Sequence, residues 1–443
     1  MRARDRLAAA LADGMLAGDW AGAPMRAQGA LVLGERHAWI RRLVREVLEF
    51  YPEPPADRPR ELARLIGRTR TMEELERRAR RRRRRLPIPQ HRVTTPTTTV
   101  RRPFPVVSIN DATALAECLG LSVPDLLWFA DTKGLQRRAA SVGLHHYRST
   151  WVGTRSGSRL LEAPRPRLKE VQRQILQQLL APIPVHEAAH GFVAGRSAVT
   201  GARPHVDAAT VISLDLESFF SSVSGRRIYG LFRMAGFPEP VAHLLTGLCT
   251  QATPVDVLRR MPSGHPAAFR LRRKLAEPHL PQGAPTSPHL ANLAAFGLDR
   301  RLAAYASRIG ARYTRYADDL TFSGPDLRRR SRGVVAAVAR IVAEEGFALN
   351  TTKTRVRGQD DRQTVTGVVV NRHPTVSRAE YDTLRAILHN CVRFGPESQN
   401  RLLHTDFRSH LRGRVAWVAA LDPERGRRLL ATYSQIDFSP SGT

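Results

Sequence analysis

Along the first 75 residues the clearest period is helical: Trp39, Ile40, Leu43, Val44, Val47 and Leu48 share one face, while Arg41, Arg42 and Arg45 fall elsewhere. An arginine run follows from Arg77 to Arg85, broken only by Ala79, and then a Pro/Thr-rich stretch over 86–105 that has no period and reads as a linker. The run suits either a solvated mobile segment or an arm that tracks phosphates. From Asn110 onward helical and strand patterns alternate compactly. The stretch 114–122 has a helix-turn-helix outline. It reads better as a packing helix pair than as a DNA reader, because one short apolar pattern with a glycine turn is common in helical proteins. Strands are expected at 159–162, 209–216, 312–316, 320–323 and 364–370, separated by helical stretches, so the class is α+β. Ser377 and Glu380 make a capping box before a face of Tyr381, Leu384, Leu388 and Val392, and Leu411, Val415 and Val418 form a second face. A terminal helical lobe is expected there.

Composition narrows the partners. The chain has 443 residues, 42% of them hydrophobic, which suffices for a folded core. Its 70 Lys+Arg against 40 Asp+Glu leave a net charge of +30, which calls for a polyanion, nucleic acid before an anionic membrane surface. No apolar run approaches the roughly 18 residues of a membrane span, and no export signal is visible, so a cytoplasmic protein without a membrane partner is expected. Cys118, Cys249 and Cys391 lie too far apart for a disulfide framework or a thiolate zinc site.

Candidate chemistry sits on carboxylates. Between Tyr313 and Gly324 two β-rich arms flank Asp318 and Asp319, a hairpin with adjacent acids at its tip. Their repulsion is tolerable if a divalent cation lies between them, and Mg²⁺ takes one or two carboxylates together with substrate phosphates. A further acid, Asp215, ends the apolar strand pattern at 211–216, just before Phe219 and Phe220. Taken singly, Asp215 could be a helix cap and Asp318-Asp319 a turn that favours Asp. His186-Glu187-Ala188-Ala189-His190 fits the zinc-peptidase pattern, but Pro182 and Pro184 before it and Gly191 after it argue against the required helix.

The Tyr316-Ala317-Asp318-Asp319 tetrapeptide occurs in order with 280–288 (Leu-Pro-Gln-Gly-Ala-Pro-Thr-Ser-Pro), with 346–354 (Gly-Phe-Ala-Leu-Asn-Thr-Thr-Lys-Thr) and with Val365-Thr366-Gly367. Together these resemble reverse transcriptases, and bacterial retron enzymes above all, over roughly 114–430. The resemblance implies a right-hand polymerase: an N-terminal extension with basic linker over 1–110, fingers over 111–203, a palm of antiparallel sheet and helices over 204–372, and a helical thumb over 373–443. It implies that Asp215 and Asp318, supported by Asp319, hold two Mg²⁺ ions, with Mn²⁺ as a substitute. Lys353 is implied to protonate the leaving pyrophosphate. Phe220 is implied to stand against the sugar 2′ carbon and so to select deoxynucleotides. Arg159, with Arg155 in place of the family's usual lysine, would clamp the triphosphate, and Gln282 and Gly283 would approach the incoming nucleotide. Arg196 is a further phosphate candidate.

Two elements bear on the subfamily. Gly201-Ala202-Arg203-Pro204-His205 resembles the retron Asn-Ala-x-x-His element with Gly201 in place of Asn, and Val365, Thr366 and Gly367 match its second element. Ala202, His205, Val365, Thr366 and Gly367 are thereby implied as RNA-binding. A group II intron enzyme would add a maturase region for which 443 residues leave no room, so a stand-alone enzyme is expected. The implied partners are a cognate non-coding RNA, its DNA product, deoxynucleoside triphosphates and a separately encoded effector in antiphage defence. Another bacterial reverse transcriptase, of diversity-generating or abortive-infection type, is the alternative enzyme. A nonenzymatic RNA-binding protein on the same fold is the alternative of a different class.

Overall fold

The computed structural model describes residues 3–55, 59–82, 84–91, 103–139, 141–154, 157–262 and 268–439. The chain divides into two compact units that interleave in sequence: 1–183 with 223–287, and 184–222 with 288–443.

The first unit opens with five helices, Ala3–Leu16, Gly22–Leu33, Ala38–Phe50, Pro59–Arg68 and Arg70–Arg81. They enclose a core of their own that includes Leu7, Leu11, Met15, Met25, Leu43, Val47, Leu62 and Ile66. The third helix is the one legible in the periodicity, and it buries Ile40, Leu43, Val44 and Val47. The arginine run departs from expectation: Arg77 to Arg81 complete the fifth helix, whose Thr69 cap accepts from the Met72 N–H. Glu74 and Glu76, one turn earlier, pair with Arg78 at 3.9 Å and Arg80 at 3.0 Å, which offsets the like-charge repulsion along the helix. Arg83 and 92–102 of the expected linker lie outside the described residues.

The helix-turn-helix outline is a packing pair. Helices Ala112–Cys118 and Val123–Ala130 meet at 92° and bury Leu115, Ala116, Leu126 and Ala130. The Ala130 carbonyl presses so close to Gly247 that a Cβ there would come within 1.9 Å of it. A hairpin follows, β1 (Tyr147–Thr154) against β2 (Gly157–Pro164), with Val152 opposite Arg159. Trp151 anchors it by donating its indole N–H to the Val257 carbonyl at 3.1 Å, and Leu160 joins Val257, Leu258, Leu271 and Leu275 in a small apolar cluster. Among the described residues no single helix is long and apolar enough to cross a membrane. All three cysteines are free.

The second unit is built on an antiparallel sheet of β3 (Thr210–Asp215), β4 (Arg312–Tyr316), β5 (Asp319–Gly324) and β6 (Arg355–Gly358), in the order β4-β5-β3-β6. Alternation gives the sheet two chemically distinct faces. Ile212, Leu214, Leu320, Phe322, Tyr313 and Arg315 leave one face, against which helices Phe296–Arg308 and Leu327–Glu344 pack. Ser213, Asp215, Asp319, Thr321, Ser323 and Thr314 leave the other, so β3 and β5 carry their carboxylates on the polar side. The strand expected at 364–370 is instead two short strands, β7 (Thr364–Val365) and β8 (Val368–Val369), around a Thr366-Gly367 turn.

The terminal helices Arg378–Phe394, Phe407–Leu421 and Pro423–Tyr433 share one apolar cluster that runs on through Val365, Val368 and Val370 to Ala202, Val199 and Val211 of β3. The two helical faces expected near the C-terminus supply it with Leu384 and Leu388, and with Leu411, Val415 and Val418.

Candidate active site

β3 ends at Asp215, and the ladder sets Asp215 directly opposite Asp319 of β5. Opposed positions place Cβ atoms roughly 4.5–5.5 Å apart on the same side of the sheet. The two-residue turn between β4 and β5 is Ala317-Asp318, with Ala317 in the left-handed region at φ 55°. A non-glycine residue held there stores on the order of 1–2 kcal/mol, so the surroundings must impose it. They do so from three sides. The Asp318 carbonyl accepts from the Leu216 N–H at 2.9 Å, and the Ala317 carbonyl accepts from Arg315 Nη1 at 3.0 Å. A Cβ on Gly191 would lie 2.6 Å from the Ala317 nitrogen, so residue 191 can only be glycine with the turn in this position.

Lys353 arrives from the segment after helix Leu327–Glu344. The Glu217 N–H donates to the Ala348 carbonyl and the Asn350 N–H to the Asp215 carbonyl, both at 2.8 Å, which lays 348–350 along the end of β3. Lys353 Nζ then donates to Asp215 Oδ2 at 3.0 Å. Asp319 keeps part of its surface open, yet burial of its carboxyl, then the charges of Asp318 and Asp215, push it up to about 6, with Lys353 pulling the other way. Burial is the larger cause of that rise, and the two neighbouring carboxylates add to it more than Lys353 removes.

The donors are hard oxygens without His or Cys, which fits a hard divalent cation. Among the described residues no group of three or more His, Cys, Asp and Glu side chains closes into a metal cage, the expected trio of Asp215, Asp318 and Asp319 included.

Phe220 is half-buried, its ring 5.6 Å from Phe219 and 6.2 Å from Phe192, and Phe192 continues to Tyr316 at 6.4 Å. Phe192 had no assigned role in the sequence reading. Its only signal there is a large aromatic residue directly after the obligatory Gly191, and its backbone is left-handed, at φ 61°.

The other residues expected to meet the nucleotide lie in the first unit. Arg159 is exposed on β2, while the neighbouring Glu162 is buried and binds the turn at 282–283. The Glu162 N–H donates to the Gln282 carbonyl at 2.8 Å. Gly283 has φ 127° and its Cβ position lies 3.1 Å from the Glu162 carbonyl, so both conformation and space demand glycine. The Glu162 carboxylate is itself held by Gln251 at 3.0 Å, Thr253 at 2.8 Å and His279 at 2.9 Å. The run 279–284 thus rests on a buried Glu162–His279 pair that the sequence does not announce. Arg155 lies outside the described residues.

Several expectations need correction. His205 is fully buried, its Nδ1 bonded to Ser323 Oγ at 2.7 Å and its Nε2 to Thr314 Oγ1 at 2.8 Å, so it pins the polar face of the sheet instead of reaching RNA. Ala202 and Val365 are buried in the apolar cluster with the terminal helices and are likewise closed to RNA. Of the five residues implied to bind RNA, Thr366 and Gly367 remain accessible, at the tip of the β7–β8 turn with φ 48° and 85°. Thr366 Oγ1 also donates to the Ala198 carbonyl at 3.2 Å, which ties the β7–β8 turn to the start of the helix Ala198–Ala202. At Gly201 a Cβ would meet His190 Cβ at 3.2 Å, and His190 Nδ1 lies 2.9 Å from Thr200 Oγ1, so the histidine ring fills the space a side chain would take. Arg196 is not a free phosphate ligand: its Nη1 lies 2.7–3.0 Å from the carbonyls of His186, Glu187 and Ala189. His186 and His190 are not on a helix, which removes the zinc-peptidase geometry.

Residues 152–370 match the family model described as reverse transcriptase (RNA-dependent DNA polymerase). The chain is 39% identical over 352 residues to the retron Mx162 reverse transcriptase of Myxococcus xanthus, covering 76% of this chain and 69% of the relative. It is 43% identical over 321 residues to the retron Mx65 reverse transcriptase of the same organism, covering 71% and 69%. To the retron Ec86 reverse transcriptase of Escherichia coli it is 29% identical over 288 residues, covering 64% and 78%. With a template RNA and deoxynucleoside triphosphates as its substrates and the divalent-metal dependence of that domain, this chain is an RNA-directed DNA polymerase and belongs to the retron reverse transcriptases.

Proposed function

We propose that Asp215 and Asp318, supported by Asp319, hold two Mg²⁺ ions, for which Mn²⁺ can substitute, and that this site copies a structured non-coding RNA into DNA that stays linked to it. The observation that supports this most directly is the Asp215–Asp319 register with the Lys353 ammonium 3.0 Å from Asp215. When bound, the ions supply Lewis acidity to the primer hydroxyl and to the departing pyrophosphate oxygen. Lys353 holds a proton beside the carboxylates and delivers it to the leaving pyrophosphate. Phe220, braced by Phe219 and Phe192, walls off the sugar 2′ position, so a ribonucleotide hydroxyl finds no room. Arg159 and Arg155 clamp the triphosphate, where a planar fork of permanent charge suits the task. The Gln282-Gly283 backbone approaches the base pair, which a glycine permits.

In this reading 111–203 act as fingers, 204–372 as palm and 373–443 as thumb, with 1–110 as an extension. Thr366 and Gly367 offer the exposed tip for the cognate RNA. Priming from a 2′ hydroxyl of that RNA yields multicopy single-stranded DNA, and the system serves antiphage defence in the cytoplasm with a separately encoded effector. The test is labelled deoxynucleotide incorporation by the purified protein with the RNA that accompanies it. A branched RNA–DNA species is expected, and Asp318→Ala should abolish it. Extension that yields only unbranched DNA would remove the retron priming chemistry while leaving the polymerase.

A further inference from the structure

A cavity of about 710 Å³ lies within the first unit, and none of the residues lining it is among those assigned above to polymerisation. Its size is within the roughly 300–1,000 Å³ typical of small-molecule sites. The wall is assembled from separate stretches of chain: Arg60 of helix Pro59–Arg68, the segment from Phe129 to Tyr147, and the helices Gly225–Met234 and Glu239–Cys249.

Its charge is unbalanced. Arg60, Lys133, Arg137 and Arg226 reach it against the carboxylates of Asp131 and Glu277, with Glu239 behind the wall 3.7 Å from Arg60 and 3.6 Å from His243. Asp131 is already committed to the chain, its Oδ1 accepting from the Leu135 N–H at 2.8 Å and its Oδ2 from the Gln136 N–H at 3.1 Å. What remains is a concave cationic surface, and the Nε of Arg137 is buried on it without a hydrogen-bond partner. Rings form another part of the wall. Tyr229 and His243 stack with centroids 4.3 Å apart and 25° between planes, and Arg60 Nη1 donates to His243 Nδ1 at 3.1 Å.

His146 supplies the independent sign of a ligand. It is 5% exposed, sits with its centroid 5.2 Å from both Trp128 and Phe129, and lines the cavity with neither ring nitrogen in a well-formed hydrogen bond beyond a weak approach to the Phe129 backbone. Burial holds it down to about 4, so the ring is neutral and offers one donor and one acceptor. Native interiors rarely leave such a group unsatisfied unless water or a ligand completes it.

We propose that this cavity binds a phosphorylated nucleoside, with the phosphate among Arg60, Arg137 and Arg226, the planar base beside the Tyr229–His243 rings, and His146 bonded to a base edge or a ribose hydroxyl. A phosphate alone would use the cations and leave the rings and the neutral imidazole idle. The same chemistry is presented by a free nucleotide and by one nucleotide turned out of an RNA strand.

Two probes on the full chain test this. AMP, GMP, CMP and UMP are titrated by calorimetry, and a short single-stranded RNA carrying 4-thiouridine is photo-cross-linked and the adducts mapped by mass spectrometry. At least one monophosphate should bind saturably, or adducts should fall within 129–147 or 226–250. Lys133→Glu with Arg226→Glu, both exposed positions, should weaken that signal roughly tenfold while incorporation on poly(rA)·oligo(dT) stays within about twofold. Monophosphate binding without cross-links assigns the site to a free nucleotide, and cross-links without monophosphate binding assign it to an RNA strand. The proposal is overturned if neither probe engages, if inorganic phosphate binds as tightly as the monophosphates, or if the double substitution leaves both signals unchanged. Its failure leaves incorporation intact, so it is distinguishable from a failure of the polymerase reading.

Discussion

Arg315 and Asp299 form an ion pair from which solvent is wholly excluded, with Arg315 Nη2 2.6 Å and Nε 2.8 Å from the two carboxylate oxygens. The same guanidinium donates through Nη1 to Asn292 Oδ1 at 2.9 Å and to the Ala317 carbonyl, and Tyr313 donates to Asp299 at 2.9 Å. The pair lies on the helix-covered face of the sheet and reaches the Ala317-Asp318 turn through one hydrogen bond. Asp299→Ala strands a buried guanidinium, which typically costs about 3–5 kcal/mol. Urea denaturation should show a loss of that order. Asp299→Asn should lose less stability but still lower kcat, because the turn is held by the orientation of Arg315. An unchanged kcat in Asp299→Asn would refute the link.

Gly191→Ala puts a methyl 2.6 Å from the Ala317 nitrogen, against backbone that has nowhere to move. The turn must shift, and misplacement of a reacting group by about 1 Å costs on the order of a hundredfold in rate. Incorporation should fall by at least that factor in protein whose circular dichroism spectrum is unaltered. Activity within threefold of the parent would show that the turn tolerates displacement.

Phe220→Ala removes the half-buried ring beside Phe192. Ribonucleotide incorporation relative to deoxynucleotide should rise by at least tenfold, with the kcat for deoxynucleotides reduced less. Steady-state kinetics with dGTP and GTP on one template measures the ratio, and no change in it would remove Phe220 from sugar selection.

Gly283→Ala meets the Glu162 carbonyl at 3.1 Å with φ at 127°, a conformation costly for alanine. The KM for deoxynucleotides should rise while the affinity for template-primer is preserved. Filter binding and kinetics read the two quantities separately, and parallel losses in both would mean general unfolding instead.

Burial holds His205 down to about 3, against 6.5 for the free side chain. The unfolded chain therefore takes up a proton below pH 6.5 that the folded chain refuses until about pH 3, so stability is fully present above 6.5 and drains away as pH falls between these values. At pH 5 the single group costs about 2 kcal/mol. His205→Gln lacks this term, so its stability deficit relative to the parent should narrow by about 2 kcal/mol between pH 7.5 and pH 5 in chemical denaturation. A constant deficit would place the titration elsewhere.

The strands at 210–215, 312–316 and 319–324 were legible because each is rich in β-branched or aromatic residues and runs into or towards an acid. β1 was not, since Arg148, Thr150 and Val152 are exposed and the strand is anchored mainly by Trp151. Helices Ala3–Leu16 and Gly22–Leu33 escaped notice because alanine and glycine dilute their apolar faces, whereas Pro59–Arg68 and Arg70–Arg81 are amphipathic but short, arginine-rich and narrow in the face they bury. The aspartates and Lys353 were readable from motif order. Asp299 was not: 16 residues from Arg315 and on a helix rich in arginine, it reads as an ordinary surface charge until the fold brings the two together. His205 shows the converse, a motif residue that the fold buries as a pin between Ser323 and Thr314.

Val211 belongs at once to the strand that ends in Asp215 and to the apolar cluster of the terminal helices. Four residues of extended chain, roughly 13 Å, separate that shared valine from the carboxylate. A change of volume at Val211 therefore acts in two places at once, loosening the seat of the terminal helices and shifting the end of the strand that fixes Asp215 opposite Asp319.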